Sequence, residues 1–223
     1  ACPPQCSVRD DILNENTMTK VKICGLTNIH DTLDAIELGA DYLGFNFYPD
    51  APRYIKPEDF AEIVPEIPPS VATVGVFVNA DPQFVIDMAT DFDITMLQFH
   101  GDEKPAYCQQ FARPWIKAFR PNNISDLAQI DEFEGYEAIL IDSHVQGAYG
   151  GTGVTANWDL VRQAKEKGKI FLAGGLKPEN VEIAINSVKP FAVDVASGVE
   201  QVPGKKDYRL MEEFIKRVRN TNG

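Results

Sequence analysis

From residue 18 onward the chain switches repeatedly between two hydrophobic periods. Runs in which nearly every residue is apolar or β-branched occupy 21–24, 42–47, 71–78, 96–99, 115–119, 138–142, 170–173 and 191–196. Continuous hydrophobicity, without alternation, is what a strand buried on both faces requires. Between these runs lie stretches whose apolar residues recur at three and four positions, 28–38, 57–64, 82–89, 104–111, 125–133, 158–167, 178–188 and 208–218. That is the repeat of a helix burying one face. The punctuation agrees. Gly39 follows the first helical stretch, and Pro57 opens the second with Glu58 and Asp59 behind it, where the helix dipole favours acids.

Eight strands alternating with eight helices predict an α/β protein with a parallel sheet covered by helices on its outside. Eight such units fit a closed (β/α)8 TIM barrel, as a single domain, better than an open doubly wound sheet. No Gly-x-Gly-x-x-Gly follows the first strand, which weakens a dinucleotide-binding reading. Residues 1–17 are polar and aperiodic, and are expected to be a disordered leader, a tag or a fusion junction ahead of a catalytic barrel domain at 18–223.

Composition narrows the partners. The chain has 223 residues, 44% of them hydrophobic, enough for one domain with a sizeable core. Its net charge of -12 argues against a nucleic-acid or anionic-membrane partner, and no apolar run is long enough to span a membrane. An anionic ligand would therefore have to be held by local groups such as backbone N–H nests. The 4 cysteines make no disulfide framework, and no second Cys/His pair accompanies Cys2 and Cys6 at zinc-site spacing. A reducing, cytoplasmic setting without signal peptide or metal is the expectation.

In a barrel of this type the chemistry sits at the C-terminal ends of the strands. Read in order, those ends carry Cys24-Gly25, Asn46, Asn79, His100-Gly101, Arg120, Asp142-Ser143, Gly174-Gly175 and Ala196-Ser197-Gly198. Phosphate is often bound by the loops after strands seven and eight. Here those loops hold Gly174, Gly175, Ser197 and Gly198, and Gly150-Gly151-Thr152-Gly153 after strand six can close over the same region. The same glycines would also serve plain tight turns. Cys24 ends a buried strand, where a thiol is either an inert small hydrophobe or, beside Gly25 and near Lys22, a base. Asp142 follows four apolar residues; a carboxylate there is a structural acceptor or an acid in use. Arg53, on the loop after strand two, offers a fork for a substrate carboxylate or is an ordinary surface arginine. Asp194 suits sugar hydroxyls or barrel-interior structure, and His100 substrate contact or simple packing.

The segments Lys22-Ile23-Cys24-Gly25-Leu26-Thr27, Pro52-Arg53-Tyr54, Leu97-Gln98-Phe99-His100-Gly101-Asp102-Glu103, Gly174-Gly175-Leu176-Lys177-Pro178-Glu179-Asn180-Val181, Val193-Asp194-Val195-Ala196-Ser197-Gly198-Val199-Glu200 and Pro203-Gly204-Lys205-Lys206-Asp207 occur in that order. Together they resemble the phosphoribosylanthranilate isomerase family of tryptophan biosynthesis over nearly the whole domain. The resemblance implies the (β/α)8 fold, no metal and no organic cofactor. It implies Cys24 as general base and Asp142 as general acid. Arg53 would meet the anthranilate carboxylate, Asp194 the sugar hydroxyls, and the glycine loops the phosphate. The implied partner is a small phosphosugar–anthranilate substrate, with fusion to other tryptophan-pathway enzymes left open. Asn46, Ala196 and Thr155-Ala156-Asn157 depart from the family's usual residues.

Other readings are weighed by the same positions. A ribulose-phosphate epimerase would need metal-binding residues on several strand ends, and of 3 histidines only His100 stands at one. The related histidine-pathway isomerase uses two aspartates, against Cys24 on strand one. A silent binding module would not need Cys24, Asp142 and Arg53 together.

Overall fold

A computed structural model describes residues 18–142 and 155–221. The 1–17 segment and the glycine-rich stretch at 150–153 lie outside the described residues. The chain builds a closed barrel in which each strand pairs in parallel with the next and the last with the first. Its strands are β1 (Lys20–Cys24), β2 (Tyr42–Asn46), β3 (Ala72–Phe77), β4 (Met96–Phe99), β5 (Trp115–Phe119), β6 (Ala138–Asp142), β7 (Ile170–Ala173) and β8 (Ala192–Val195). The expected (β/α)8 architecture is therefore the one observed.

Two cores follow from the two faces of the strands. Val21 and Ile23 of β1, Leu43 and Phe45 of β2 and Leu97 and Phe99 of β4 point outward and are buried under the helices. The opposite faces fill the barrel with Ile116, Ala118, Leu140, Phe171 and Ala192, against which Tyr42 and Met96 pack. Close packing of these faces fixes the register, so each strand delivers its last residue to the same rim.

Helices α1 (Ile29–Glu37), α2 (Pro57–Ile63), α3 (Pro82–Asp91), α4 (Pro105–Cys108), α5 (Thr155–Ala164), α6 (Pro178–Val188) and α7 (Tyr208–Asn220) cover the barrel. Asn28 caps α1 by accepting from the Asp31 N–H, and Asp207 caps α7 by accepting from Arg209 and Leu210. Arg219 of α7 bonds the Thr19 and Gly39 carbonyls and Asp41, fastening the last helix to the first strand.

Three connections differ from the sequence expectation. The fourth helix has four residues, not the eight of 104–111, and turns away before Phe111, which is itself buried. The fifth, Ile124–Glu132, is a 3₁₀-helix. Its buried residues Leu127 and Ile130 are three apart, which matches three residues per turn, and Asn123 and Asp126 form a capping box at its start. A small antiparallel hairpin, β9 (Glu200–Val202) and β10 (Lys205–Lys206), follows β8 with Pro203 and Gly204 between its strands. No described helix is long and apolar enough to cross a membrane.

Candidate active site

The inward face of β1 is polar: Lys20, Lys22 and Cys24 alternate with the outward valine and isoleucine. In an open half-buried sheet such a face would meet water, but in a closed barrel it meets the interior. Lys22 has no exposed atom, and its Nζ lies 2.9 Å from Asp194 Oδ1 on the neighbouring β8, with the two residues paired in register. A buried charge is tolerable only when paired, and this pair stands above the apolar layer of Ile116, Leu140 and Phe171. Burial pushes the Lys22 ammonium down, but Asp194 and Cys24 more than offset it and hold it above its ordinary value.

Cys24 is paired in register with Gly44 of β2. A Cβ at Gly44 would lie 2.8 Å from Cys24 Sγ and 3.1 Å from Lys22 Nζ, so the absent side chain is the space those two groups occupy. Cys24 and Cys108 are not in disulfides. Burial pushes the Cys24 thiol up; Lys22, beside it, pulls it back, and Asp194 pushes it up again, leaving it raised overall.

Cys24, Arg53, His100, Asp142, Gly174, Gly175, Asp194 and Ser197 line one cavity of about 670 Å³ at the C-terminal rim. Of the expected site residues only Gly198 stands back from it. Gly198 instead packs under the β7 loop, where a Cβ would come within 1.9 Å of the Leu176 carbonyl oxygen. Gly174 and Gly175 take φ of +94° and +66°, a left-handed pair that brings the backbone itself to the cavity wall. Asp194 faces the cavity but commits Oδ1 to Lys22.

Asp142 ends β6 at the rim, half-buried, with Arg120 Nε from the end of β5 3.4 Å from its Oδ2. His100 shares its Nδ1 with Gln98 Nε2 at 2.9 Å. Burial, and next the Arg120 charge, push the His100 imidazole down to about 4, so it is neutral at physiological pH. Gln98, one of the cavity's lining residues, is 1% exposed, and its Oε1 has no hydrogen-bond partner among the described residues. Arg53 lies across Gly25, whose φ is +76°, and binds Glu200 with Nε and Nη2 at 2.8 and 2.7 Å.

In the sequence Lys22 stands out only as a neighbour of Cys24, and Arg120, Gln98, Glu200 and Lys206 carry no assigned role. Lys22 and Gln98 carried a readable signal, a polar residue two positions before a strand-end group and so on its face. Glu200 and Lys206 carried none, because the groups they hold at the site, Arg53 and the Cys24 carbonyl, lie 147 and 182 residues away. Among the described residues no group of three or more His, Cys, Asp or Glu side chains is placed to hold a metal ion.

A closed parallel barrel with a thiol, a carboxylate and an arginine converging on one rim cavity defines a (β/α)8-barrel enzyme. The family model described as N-(5'phosphoribosyl)anthranilate (PRA) isomerase matches residues 21–217. The chain is 48% identical to the N-(5'-phosphoribosyl)anthranilate isomerase of Geobacter sulfurreducens over 202 residues, covering 91% of this chain and 99% of that one. It is 46% identical to the Geobacter metallireducens enzyme of that name, over 91% and 100% of the two chains. Its fold is similar to the crystal structure of phosphoribosyl anthranilate isomerase from Thermotoga maritima, with a TM-score of 0.82 and 42% identity over 91% and 100% of the chains. A structure of this isomerase in complex with reduced 1-(o-carboxyphenylamino)-1-deoxyribulose 5-phosphate gives a TM-score of 0.80 at 42% identity, over 91% of this chain and 100% of that one. This chain belongs to the N-(5'-phosphoribosyl)anthranilate isomerase family.

Proposed function

We propose that the protein is an intramolecular aldose–ketose isomerase of tryptophan biosynthesis. It converts N-(5-phosphoribosyl)anthranilate to 1-(2-carboxyphenylamino)-1-deoxyribulose 5-phosphate. The observation that carries the reading is the convergence of Cys24, Asp142 and Arg53 on one cavity walled by the glycine loops of β7 and β8. Family membership supports it.

In this reading Asp142 gives its proton to the furanose ring oxygen, and the C1–O bond opens to a Schiff base. Cys24, as thiolate, takes the proton from C2, and the electron pair moves to make the enolamine. Tautomerisation to the ketose completes an Amadori rearrangement that is redox-neutral overall. Lys22 supports the base by placing a cation beside the sulfur as it ionises. Backbone N–H groups around Gly174, Gly175 and Ser197 suit the phosphate, and Arg53 the anthranilate carboxylate. A reducing cytoplasm would keep Cys24 as a thiol.

The test is direct. Purified protein is mixed with freshly generated phosphoribosylanthranilate and the loss of its fluorescence is followed. The reading predicts conversion far above the spontaneous rate; a rate equal to the buffer control would refute it.

A further inference from the structure

The hairpin after β8 takes no part in the chemistry above, yet its two ends reach under two of the site's residues. Glu200 opens β9 and Lys206 closes β10. Glu200 accepts from Arg53 Nε and Nη2 at 2.8 and 2.7 Å, from Lys206 Nζ at 2.8 Å, and from the Gly204 N–H at 3.3 Å. Lys206 Nζ also donates to the Cys24 carbonyl at 2.6 Å and the Ala196 carbonyl at 3.3 Å. The Glu200 and Lys206 side chains are 4% and 0% exposed, whereas Arg53 keeps 23%. The loop after β1 and the start of α1 hold the hairpin down: Thr27 Oγ1 donates to the Gly204 carbonyl at 2.5 Å, and Asp31 accepts from the Lys206 N–H at 2.7 Å.

A guanidinium has two edges suited to bidentate carboxylate binding, Nε with Nη2 and Nη1 with Nη2. Glu200 occupies the first. Among the described residues no acceptor meets the second, and Arg53 lines the cavity. A lone carboxylate under Arg53 would cancel the charge that an anion needs. Lys206 restores it: one glutamate between two cations leaves the cluster net positive. Burial pushes the Glu200 carboxyl up, but the hydrogen bonds from Arg53 and Lys206 outweigh it and keep the group ionised.

We propose that Glu200 and Lys206 are positioning residues that aim the Nη1/Nη2 edge of Arg53 at the substrate's aryl carboxylate. They make the enzyme selective for an ortho-carboxylated arylamine. The proposal rests on the isomerase reading above. Lys206 holds the far end of the hairpin to the rim through the Cys24 and Ala196 carbonyls.

The experiment compares kcat and KM for phosphoribosylanthranilate and for its aniline analogue, which lacks the carboxylate. Wild-type enzyme is expected to prefer the carboxylated substrate by about 10–100-fold in kcat/KM, the range of a charge-assisted bidentate contact. In Glu200→Gln that preference should shrink by about tenfold through KM, with kcat and the analogue's kcat/KM changed by less than about threefold. Adding Glu200→Gln to Arg53→Ala should cost no further preference, since the glutamate acts through the arginine. Parallel loss on both substrates, or no loss, would overturn the proposal alone. Wild type inert toward both substrates would overturn the isomerase reading and the proposal with it. Should Glu200→Gln fail to fold, Arg53→Lys reports on the same point: it keeps the charge but cannot span two carboxylates. Retained preference in that variant would overturn the proposal.

Discussion

A lysine without an exposed atom, two residues ahead of a thiol on the same strand face, puts a fixed charge beside the sulfur that the proposed function makes the base. Because burial raises the Cys24 thiol and Lys22 only partly offsets it, the base form is the minor one near neutrality. The free-enzyme kcat/KM should therefore climb with pH along a limb set above the ordinary thiol value of 9.0. Lys22→Met removes the cation that favours the thiolate, so the limb should move to still higher pH. A limb that stays in place or moves down would contradict the role given to Lys22. Cys24, Asp142 and Arg53 were legible in the sequence because two of them end apolar runs and the third sits in the Pro52-Arg53-Tyr54 segment. Lys22 was not. The alternation of Lys20, Val21, Lys22, Ile23 and Cys24 is the pattern of a strand with one wet face, and only barrel closure turns that face inward.

At the scale of elements, the rim is assembled by close backbone approach. Gly198 shows it most plainly. A methyl group there meets the Leu176 carbonyl oxygen at 1.9 Å, which no rotamer relieves because the obstacle is backbone. Gly198→Ala should push the β7 and β8 loops apart and destabilise the fold by about 1–3 kcal/mol, the usual cost of overpacking. If those loops grip the phosphate, KM should rise more than kcat falls. Thermal melts and steady-state kinetics of the variant check both, and an unchanged KM would count against the phosphate assignment. The strands match the apolar runs nearly residue for residue, since continuous apolar runs bounded by turns leave little ambiguity. The connections were less legible. Ile124–Glu132 winds as a 3₁₀-helix, although apolar residues at 127 and 130 fit an α-helical repeat equally well. The hairpin at 200–206 has strands of three and two residues, too short for any period to register.

At the scale of the molecule, an acidic protein of net charge -12 gathers Lys22, Arg53, Arg120 and Lys206 around one rim. Under the proposed function, the field of these local cations and of the backbone dipoles, not the overall charge, would favour an anionic substrate there. The eightfold repeat and its closure were legible in the chain because strand count and connection length leave few alternatives; the ion pairs across 147 or more residues were not, being properties of the closed barrel. Burial of His100 has a global consequence. Its folded value of about 4 lies below the ordinary 6.5, so between those limits the unfolded chain binds more protons. Stability should thus be lost as pH falls from 6.5 toward 4 and be independent of this group above that window. Urea melts at both ends of the window should show a smaller drop for His100→Gln than for wild type; an equal drop would assign the acid sensitivity elsewhere. The central claim is that Cys24 and Asp142 move the two protons. It is tested most directly by kcat at saturating phosphoribosylanthranilate for Cys24→Ser and Asp142→Asn. Each variant should lose about 10²–10⁴-fold in kcat, the usual worth of a general acid or base, with KM nearly unchanged. A near-native kcat in either variant would contradict the account.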